Sequence, residues 1–123
     1  MKLNKPKHNL YRNTIYALEG IVDVIKNETS FKWQLLMLVC FGIVAWVLPI
    51  SFGYSSILFV SLFIPILAEI VNSAIERVVD LVTQEYHILA KQAKDVGAAL
   101  VFVSFCVTVL IWIFTLVIAY NRV

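Results

Sequence analysis

A stretch of acidic and amide side chains at helical spacing interrupts an otherwise apolar part of the chain. Its polar residues lie at most four positions apart and are Glu69, Asn72, Ser73, Glu76 and Asp80. Because an α-helix turns by about 100° per residue, all of them share one face of a helix. Carboxylates on such a face can accept a proton or hold a divalent cation. The spacing therefore predicts a polar stripe capable of acid–base or metal chemistry.

A second polar cluster follows the stripe in the sequence, and a further acid precedes it. The second cluster comprises Glu85, Tyr86, His87, Lys91, Lys94 and Asp95. Lysines bind phosphate as point charges, although lysines beside a membrane also serve as interfacial anchors. The preceding acid, Glu28, can join Glu76 as a pair of carboxylates for Mg²⁺ whose other ligands are water and nucleotide phosphates. Together these residues indicate proton abstraction and phosphate binding at one interface.

The composition places this chemistry in a membrane. The 123 residues are 61% hydrophobic and their mean hydropathy is +0.87, whereas soluble domains are about 45–50% apolar. No charged residue occurs between Lys32 and Glu69 or between Asp95 and Arg122, and about 20 apolar residues suffice to cross a bilayer. The sequence also lacks the phosphate-binding patterns GxxxxGK(S/T) and GxGxxG. A soluble enzyme with a glycine-rich phosphate loop is therefore excluded.

The chain is predicted to be a single all-α membrane domain over residues 1–123. Three transmembrane helices are expected at about residues 31–48, 56–82 and 93–120, and Pro49 and Gly53 mark the turn between the first two. An N-terminal amphipathic surface helix is expected at about residues 9–27, because apolar residues recur there opposite charged ones. Those apolar residues are Tyr11, Ile15, Leu18, Val22 and Ile25.

Basic residues predict how the spans are oriented. Lysine and arginine are concentrated in the N-terminal arm and in the connection at 83–94, and the loop around Pro49 has none. The positive-inside rule therefore predicts a cytoplasmic N-terminus and a C-terminus outside. Cys40 and Cys106 lie within predicted spans and are expected to act as small apolar side chains.

Residue types alone leave several interpretations of the polar stripe open. It can belong to an enzyme at the membrane interface or to a small transporter of protons or cations. The transporter interpretation predicts ion flux in vesicles without dependence on MgATP. A simpler interpretation is that the stripe is the solvated end of a helix longer than the bilayer, with Arg77 providing local pairing. Glu69 argues against this last interpretation, because the apolar run "FIPILA" precedes it directly.

Three motifs closely resemble a known family. They are "NE" at 27–28, "EIVNSAIERVVDLV" at 69–82 and "EYHILAKQAKDVGAA" at 85–99, and they are similar to the signature of the small prokaryotic integral-membrane diacylglycerol kinases, a family that includes undecaprenol kinases. The resemblance implies a homotrimer in the bacterial inner membrane with active sites shared between subunits. It also implies transfer of the γ-phosphate of MgATP to the hydroxyl of diacylglycerol, giving phosphatidic acid. Undecaprenol is the alternative acceptor, and no nucleic-acid partner is expected.

The same resemblance implies roles for individual residues. Glu69 is implied to be the general base, with Asn72 and Asp80 supporting catalysis, and Glu28 and Glu76 are implied to be the metal ligands. The implied nucleotide-binding residues are Tyr16, Glu28, Glu76, Glu85, Tyr86, His87, Lys94 and Asp95. The implied substrate-binding residues are Arg12, Ser30, Phe31, Gln34, Glu69, Ala98 and Trp112.

The chain departs from the family pattern at two positions. Asn9 stands where relatives often carry a basic residue, and Lys7 or Arg12 is expected to replace that contact. Gln34 stands where some relatives carry an acid, which weakens a catalytic role at this position. Trp112 has two interpretations: it contacts the lipid substrate, or it anchors its helix at the membrane interface.

Overall fold

The long uncharged runs and their short polar connections fold into helices joined by brief turns. The computed structural model describes residues 9–121, and within that range it contains no strand. The helices are α1 (Leu10–Asn27), α2 (Thr29–Val47), α3 (Phe52–Ser61), α4 (Phe63–Val82) and α5 (Ile88–Asn121). Three segments, α2, α3 together with α4, and α5, are long and apolar enough to cross a membrane. The predicted all-α membrane architecture, with an N-terminal helix before three spans, is confirmed.

Asn9 caps the start of α1. Its side-chain Oδ1 accepts hydrogen bonds from the backbone N–H groups of Tyr11 at 3.0 Å and Arg12 at 3.5 Å. These contacts satisfy donors that the first turn of a helix otherwise leaves free. This capping role was not predicted, because Asn9 was considered only as a position where relatives often carry a basic residue. Lys7, one of the two expected substitutes, lies outside the described residues.

The helix α1 is joined to the rest of the fold through a small apolar core. Val24 is buried there with Phe31 of α2 and Ile66 of α4. By contrast, Leu18 and Val22 on the apolar face predicted from the sequence are exposed, Leu18 by 57%. An exposed apolar face opposite charged side chains suits a helix that lies at the boundary of a bilayer.

The turn between the first two spans is shorter than the sequence suggested. It covers residues 48–51 and includes Pro49, whereas Gly53 already lies in α3. The second span therefore begins at Phe52 and not near residue 56. Helix formation starts early because the backbone N–H of Ser55 donates to the Ser51 carbonyl at 3.0 Å, and the Ser56 hydroxyl is satisfied by the Phe52 carbonyl at 2.8 Å.

The second span, predicted as one helix over residues 56–82, is interrupted at Leu62, although the Leu62 backbone itself stays helical with φ −67° and ψ −19°. The break follows from Pro65, which has no N–H to donate to the carbonyl of Ser61 and whose ring crowds it. Near this point the backbone N–H of Leu62 donates to the carbonyl of Phe59 at 3.2 Å. This bond reaches back three residues, not four, and tightens the turn. Thus α3 and α4 are separate helices within one span.

The carbonyl freed by Pro65 finds a new partner on α5. The single hydrogen of the Thr108 hydroxyl is shared between the Ser61 carbonyl at 3.2 Å and the Ser104 carbonyl of its own helix at 3.0 Å. The Trp112 indole N–H donates to the Ser61 hydroxyl at 3.1 Å. Because apolar surroundings offer no water to satisfy these groups, this polar cluster fixes α5 against the break between α3 and α4.

Removing the Thr108 hydroxyl is expected to weaken this attachment. We expect Thr108→Val, which keeps the shape of the side chain, to lower the free energy of unfolding by about 1 kcal/mol, because the Ser61 carbonyl loses its donor. Thr108→Ser, which keeps the hydroxyl, serves as the control. Reversible unfolding in mixed detergent micelles measures both. Equal stability of Thr108→Val and the wild type would contradict the role assigned to the hydroxyl.

The third span differs from its predicted range at its N-terminal end. The helix α5 begins at Ile88 and ends at Asn121, whereas residues 93–120 were expected. Its early start follows from His87, whose Nδ1 accepts a hydrogen bond from the backbone N–H of Leu89 at 3.1 Å. The first span, Thr29–Val47, agrees with the expected 31–48 to within two residues at each end.

Candidate functional site

Glu69 lies at the contact between α4 and α2 and is almost fully buried. Its side chain is 5% exposed, and each carboxylate oxygen accepts one hydrogen bond from α2. The Ser30 hydroxyl donates to Oε1 and the Gln34 amide donates to Oε2, both at 2.9 Å. Two donors of fixed direction hold the carboxylate in one orientation, and each oxygen keeps a second lone pair for a further proton. This geometry is suited to a base that acts at one defined point.

Asn72 lies one turn along the stripe, against the backbone of α5. It is 7% exposed, and its amide donates to Glu76 Oε1 at 3.3 Å. Its own Oδ1 is buried and has no hydrogen-bond partner among residues 9–121. This oxygen faces Gly97, where a side-chain Cβ would collide with it. A glycine at position 97 is therefore what allows α5 to approach the stripe.

Gly97→Ala is expected to disturb the stripe more than the fold. The new methyl group forces the Asn72 side chain to turn away, which breaks its contact with Glu76. We expect any activity that depends on an oriented stripe to fall by about tenfold or more. An assay under saturating substrates, with thermal unfolding measured in parallel, checks this expectation. Gly20→Ala is the control, because a Cβ at position 20 meets nothing within 4 Å. Wild-type activity of Gly97→Ala would show that Asn72 has no strict orientation.

Two lysine–aspartate pairs lie at the ends of α4 and α5 nearest the connection between them. Lys94 of α5 contacts Asp80 of α4 at 2.7 Å, and Lys91 contacts Asp95 one turn along α5 at 2.6 Å. All four side chains are more than two-fifths exposed, so these pairs contribute little to stability. Their exposure leaves the ammonium groups able to exchange a carboxylate partner for a phosphate.

Arg77 connects α4 to the surface helix. Its guanidinium contacts Asp23 of α1, and its second arm lies 3.4 Å from Glu28 Oε1. The Arg77 hydrogen bond, followed by one from Asn27, holds the pKa of Asp23 below its usual value of 3.8. Asp23 is therefore charged at neutral pH. Its ion pair with Arg77 is lost only when the pH falls through the lowered pKa of Asp23. From the sequence, Arg77 was expected to pair only with acids nearby in the chain, and its contact with α1 was not predicted.

The residues expected to bind a nucleotide lie around the connection between α4 and α5 and on α1. Glu85, Tyr86 and His87 are all exposed in this connection, and Tyr16 is half-buried on α1. The Nδ1 atom of His87 accepts a backbone N–H, so the neutral ring carries its proton on Nε2. That proton is available to an acceptor, such as a phosphate or a base, beside the connection between α4 and α5.

The residues expected to bind the lipid are not all close together. Phe31 is buried in the apolar core, whereas Arg12 and Ala98 are exposed. Trp112 packs edge-on against Phe41 of α2 with ring centres 5.7 Å apart. Together with Gln34, it lines an apolar cavity of about 260 Å³ between α2, α4 and α5. Trp112 and Gln34 are thus brought to one cavity, and Gln34 joins that cavity to Glu69.

Two carboxylates suitable for a divalent cation are Glu28, between α1 and α2, and Glu76 on α4. The Arg77 guanidinium lies 3.4 Å from Glu28 Oε1, and the Asn72 amide nitrogen lies 3.3 Å from Glu76 Oε1. Both contacts are long for a hydrogen bond. Both carboxylates therefore retain oxygen atoms without a close donor, and the hard oxygens suit Mg²⁺. No group of three His, Cys, Asp or Glu side chains within residues 9–121 is arranged to hold a metal ion. The donor set fits a cation that takes its other ligands from water and a nucleotide.

Known proteins are similar to this chain over most of its length. Residues 15–116 match the profile of the family described as prokaryotic diacylglycerol kinase. A diacylglycerol kinase of Haemophilus influenzae is 34% identical over 110 residues, which cover 85% of this chain and 88% of the relative. One of Pseudomonas aeruginosa is 35% identical over 99 residues, covering 80% of both chains. One of Escherichia coli is 33% identical over 97 residues, covering 79% of this chain and 80% of the relative.

Proposed function

The chain belongs to the prokaryotic diacylglycerol kinase family, and we propose that it transfers the γ-phosphate of ATP to the free hydroxyl of diacylglycerol. The products are phosphatidic acid and ADP. The observation that carries this proposal is the buried, doubly hydrogen-bonded Glu69 beside an apolar cavity, in a chain of this family. The relatives named above are diacylglycerol kinases, which favours this acceptor over undecaprenol and a kinase over a transporter.

In the proposed reaction, Glu69 takes the proton of the lipid hydroxyl. The hydroxyl oxygen forms a bond to the γ-phosphorus, and the bond from that phosphorus to the bridging oxygen of ATP breaks, so that ADP leaves. The hydrogen bonds from Ser30 and Gln34 fix the direction of the accepting carboxylate. The apolar wall around Gln34 excludes water, which would otherwise compete with the lipid hydroxyl for the phosphoryl group.

The nucleotide is proposed to enter from the end of the stripe nearest the connection between α4 and α5. Glu28 and Glu76 would hold Mg²⁺, which neutralises charge on the phosphates when bound. Lys94 can exchange Asp80 for a phosphate oxygen, and the exposed Glu85, Tyr86, His87 and Asp95 supply further polar contacts, with Tyr16 on α1. From Glu69 to Asp80 the helix rises about 16 Å. One helix can therefore present a base in the apolar region and phosphate-binding groups near water.

The membrane arrangement adds three further proposals. The basic N-terminal arm and the 83–94 connection support a cytoplasmic N-terminus and a C-terminus outside. The family resemblance supports a homotrimer, in which the exposed apolar side chains of α2 and α5 would face lipid or neighbouring subunits. A bacterial inner membrane is the compartment that best suits a prokaryotic, ATP-dependent lipid kinase.

A labelled-phosphate assay tests the proposed function. Purified protein in mixed micelles receives ATP labelled at the γ-phosphate, Mg²⁺, and either diacylglycerol or undecaprenol. We expect label to enter lipid with diacylglycerol and to depend on Mg²⁺. Transfer only to undecaprenol would overturn the proposed acceptor. Absence of transfer to either lipid, with ion flux in vesicles, would overturn the kinase and support a transporter.

A further inference from the structure

Gln34 occupies an unusual place for an amide. It lies on α2, is 8% exposed, and shares its surroundings with apolar side chains that line the cavity, including Met37, Leu38 and Ile66. Its Nε2 donates to Glu69 Oε2 at 2.9 Å, a buried contact between helices. The polar end of Gln34 is thus directed at the proposed base.

Stability does not explain an amide at this position. The Gln34 Oε1 atom is buried and has no hydrogen-bond partner within residues 9–121. A buried acceptor without a partner costs about 1–3 kcal/mol, and an apolar side chain of similar volume would avoid that cost. The contact with Glu69 is what Gln34 provides in return. The contact with Glu69 is thus the one property of Gln34 that an apolar side chain would not supply.

The amide also differs in a useful way from a carboxylate. An acid at position 34 would place two carboxyl groups within hydrogen-bond distance in a buried site, and like charges so close share one proton. An amide is neutral and donates from a fixed direction. It therefore orients the Glu69 carboxylate without competing with it for the proton of a substrate.

We propose that Gln34 is a positioning residue that holds the Glu69 carboxylate toward the lipid hydroxyl through its Nε2–H. The inference rests on the proposed function, because it takes Glu69 as the base. Ser30 supplies the second donor, to Oε1, but Ser30 is exposed whereas Gln34 is buried. The buried donor is the one that water cannot replace, so the orientation of the base depends chiefly on Gln34.

Kinetics of Gln34→Met test this role. Methionine keeps the length of the side chain and removes the donor, so kcat and kcat/KM for diacylglycerol should fall together by about 10- to 100-fold, with the KM for MgATP unchanged. Leu35→Met is the matched control on the same helix and should retain wild-type kinetics. Wild-type kcat in Gln34→Met overturns the proposal. A higher KM for diacylglycerol at unchanged kcat also overturns it, since Gln34 would then only bind substrate.

Infrared spectroscopy supplies a readout that does not depend on activity. The carboxylate bands of Glu69, identified by their loss in Glu69→Gln, should shift in Gln34→Met, because a hydrogen bond to Oε2 is lost. Gln34→Glu is the second, nearly isosteric variant, in which a band of a protonated carboxyl group should appear and kcat should fall. Unshifted Glu69 bands in Gln34→Met overturn the inference, even if the kinase assay succeeds. Full activity of Glu69→Gln would instead overturn the proposed base, and the two failures are therefore distinguishable.

Discussion

Replacing Glu69 by glutamine is expected to lower the rate of phosphoryl transfer by about 10²- to 10⁴-fold, the usual contribution of a general base. The substitution should leave the fold intact. A glutamine at position 69 can accept the Gln34 amide hydrogen through its carbonyl and donate to the Ser30 hydroxyl, which preserves both present contacts. What is lost is the capacity to accept the proton of the lipid hydroxyl. The effect should therefore fall on kcat, with little change in the KM for MgATP.

The labelled-phosphate assay measures this loss, and thermal unfolding of the same samples separates it from misfolding. Glu19→Gln is a matched control, because it makes the same chemical change at an exposed position of α1 and should leave the rate unchanged. If Glu69→Gln retained a rate close to that of the wild type, another group would have to take the proton, and the mechanism proposed above would be wrong.

Glu76→Gln is expected to produce the second large effect, through the metal. A neutral amide at this position keeps an oxygen for the Asn72 donor but no longer offers a charged ligand to Mg²⁺. We expect the Mg²⁺ concentration for half-maximal activity to rise by about 10- to 100-fold or more, a loss that excess Mg²⁺ partly restores. Titration of activity with Mg²⁺, together with direct binding of Mn²⁺ in the presence of nucleotide, measures the change.

The comparison with Glu28→Gln makes the Glu76 experiment more specific. Both carboxylates are proposed to hold the cation, so both variants should weaken Mn²⁺ binding, whereas Glu19→Gln should not. Glu28 also contacts Arg77, so its variant additionally loses a contact between the surface helix and α4. An unaltered Mg²⁺ dependence in Glu76→Gln would remove this residue from the metal site.

The stripe is the part of the site that local pattern predicts best. Residues at helical spacing lie on one face wherever a helix forms, so the common orientation of Glu69 and Asn72 depends on no other part of the chain. Both are buried in the structure. The contacts that surround them come from residues distant in sequence, such as Ser30, Gln34 and Gly97. The family resemblance implied that Ser30 and Gln34 bind the substrate, and their hydrogen bonds to Glu69 were not predicted.

The break in the second span was visible in the sequence but was not predicted. Pro65 lies within the apolar run, and proline removes a backbone donor in any helix interior. Whether the helix breaks or only bends depends on whether the freed carbonyl finds another donor. That donor is Thr108, 47 positions away, and no local pattern relates the two. The cap by Asn9 is the opposite case, since an asparagine before a helix start is a local signal that could have been recognised.

The sequence by itself determined that this protein spans a membrane with three helical segments, carries a polar stripe and resembles the prokaryotic diacylglycerol kinases. Hydropathy, helical periodicity and contiguous motifs are properties of neighbouring residues. They can therefore be recognised from the order of residues along the chain. Only the tertiary structure decided which side chains hold Glu69, which carboxylates Arg77 contacts and where α5 approaches Asn72. Those contacts join different helices, and their geometry depends on how the helices pack as a whole.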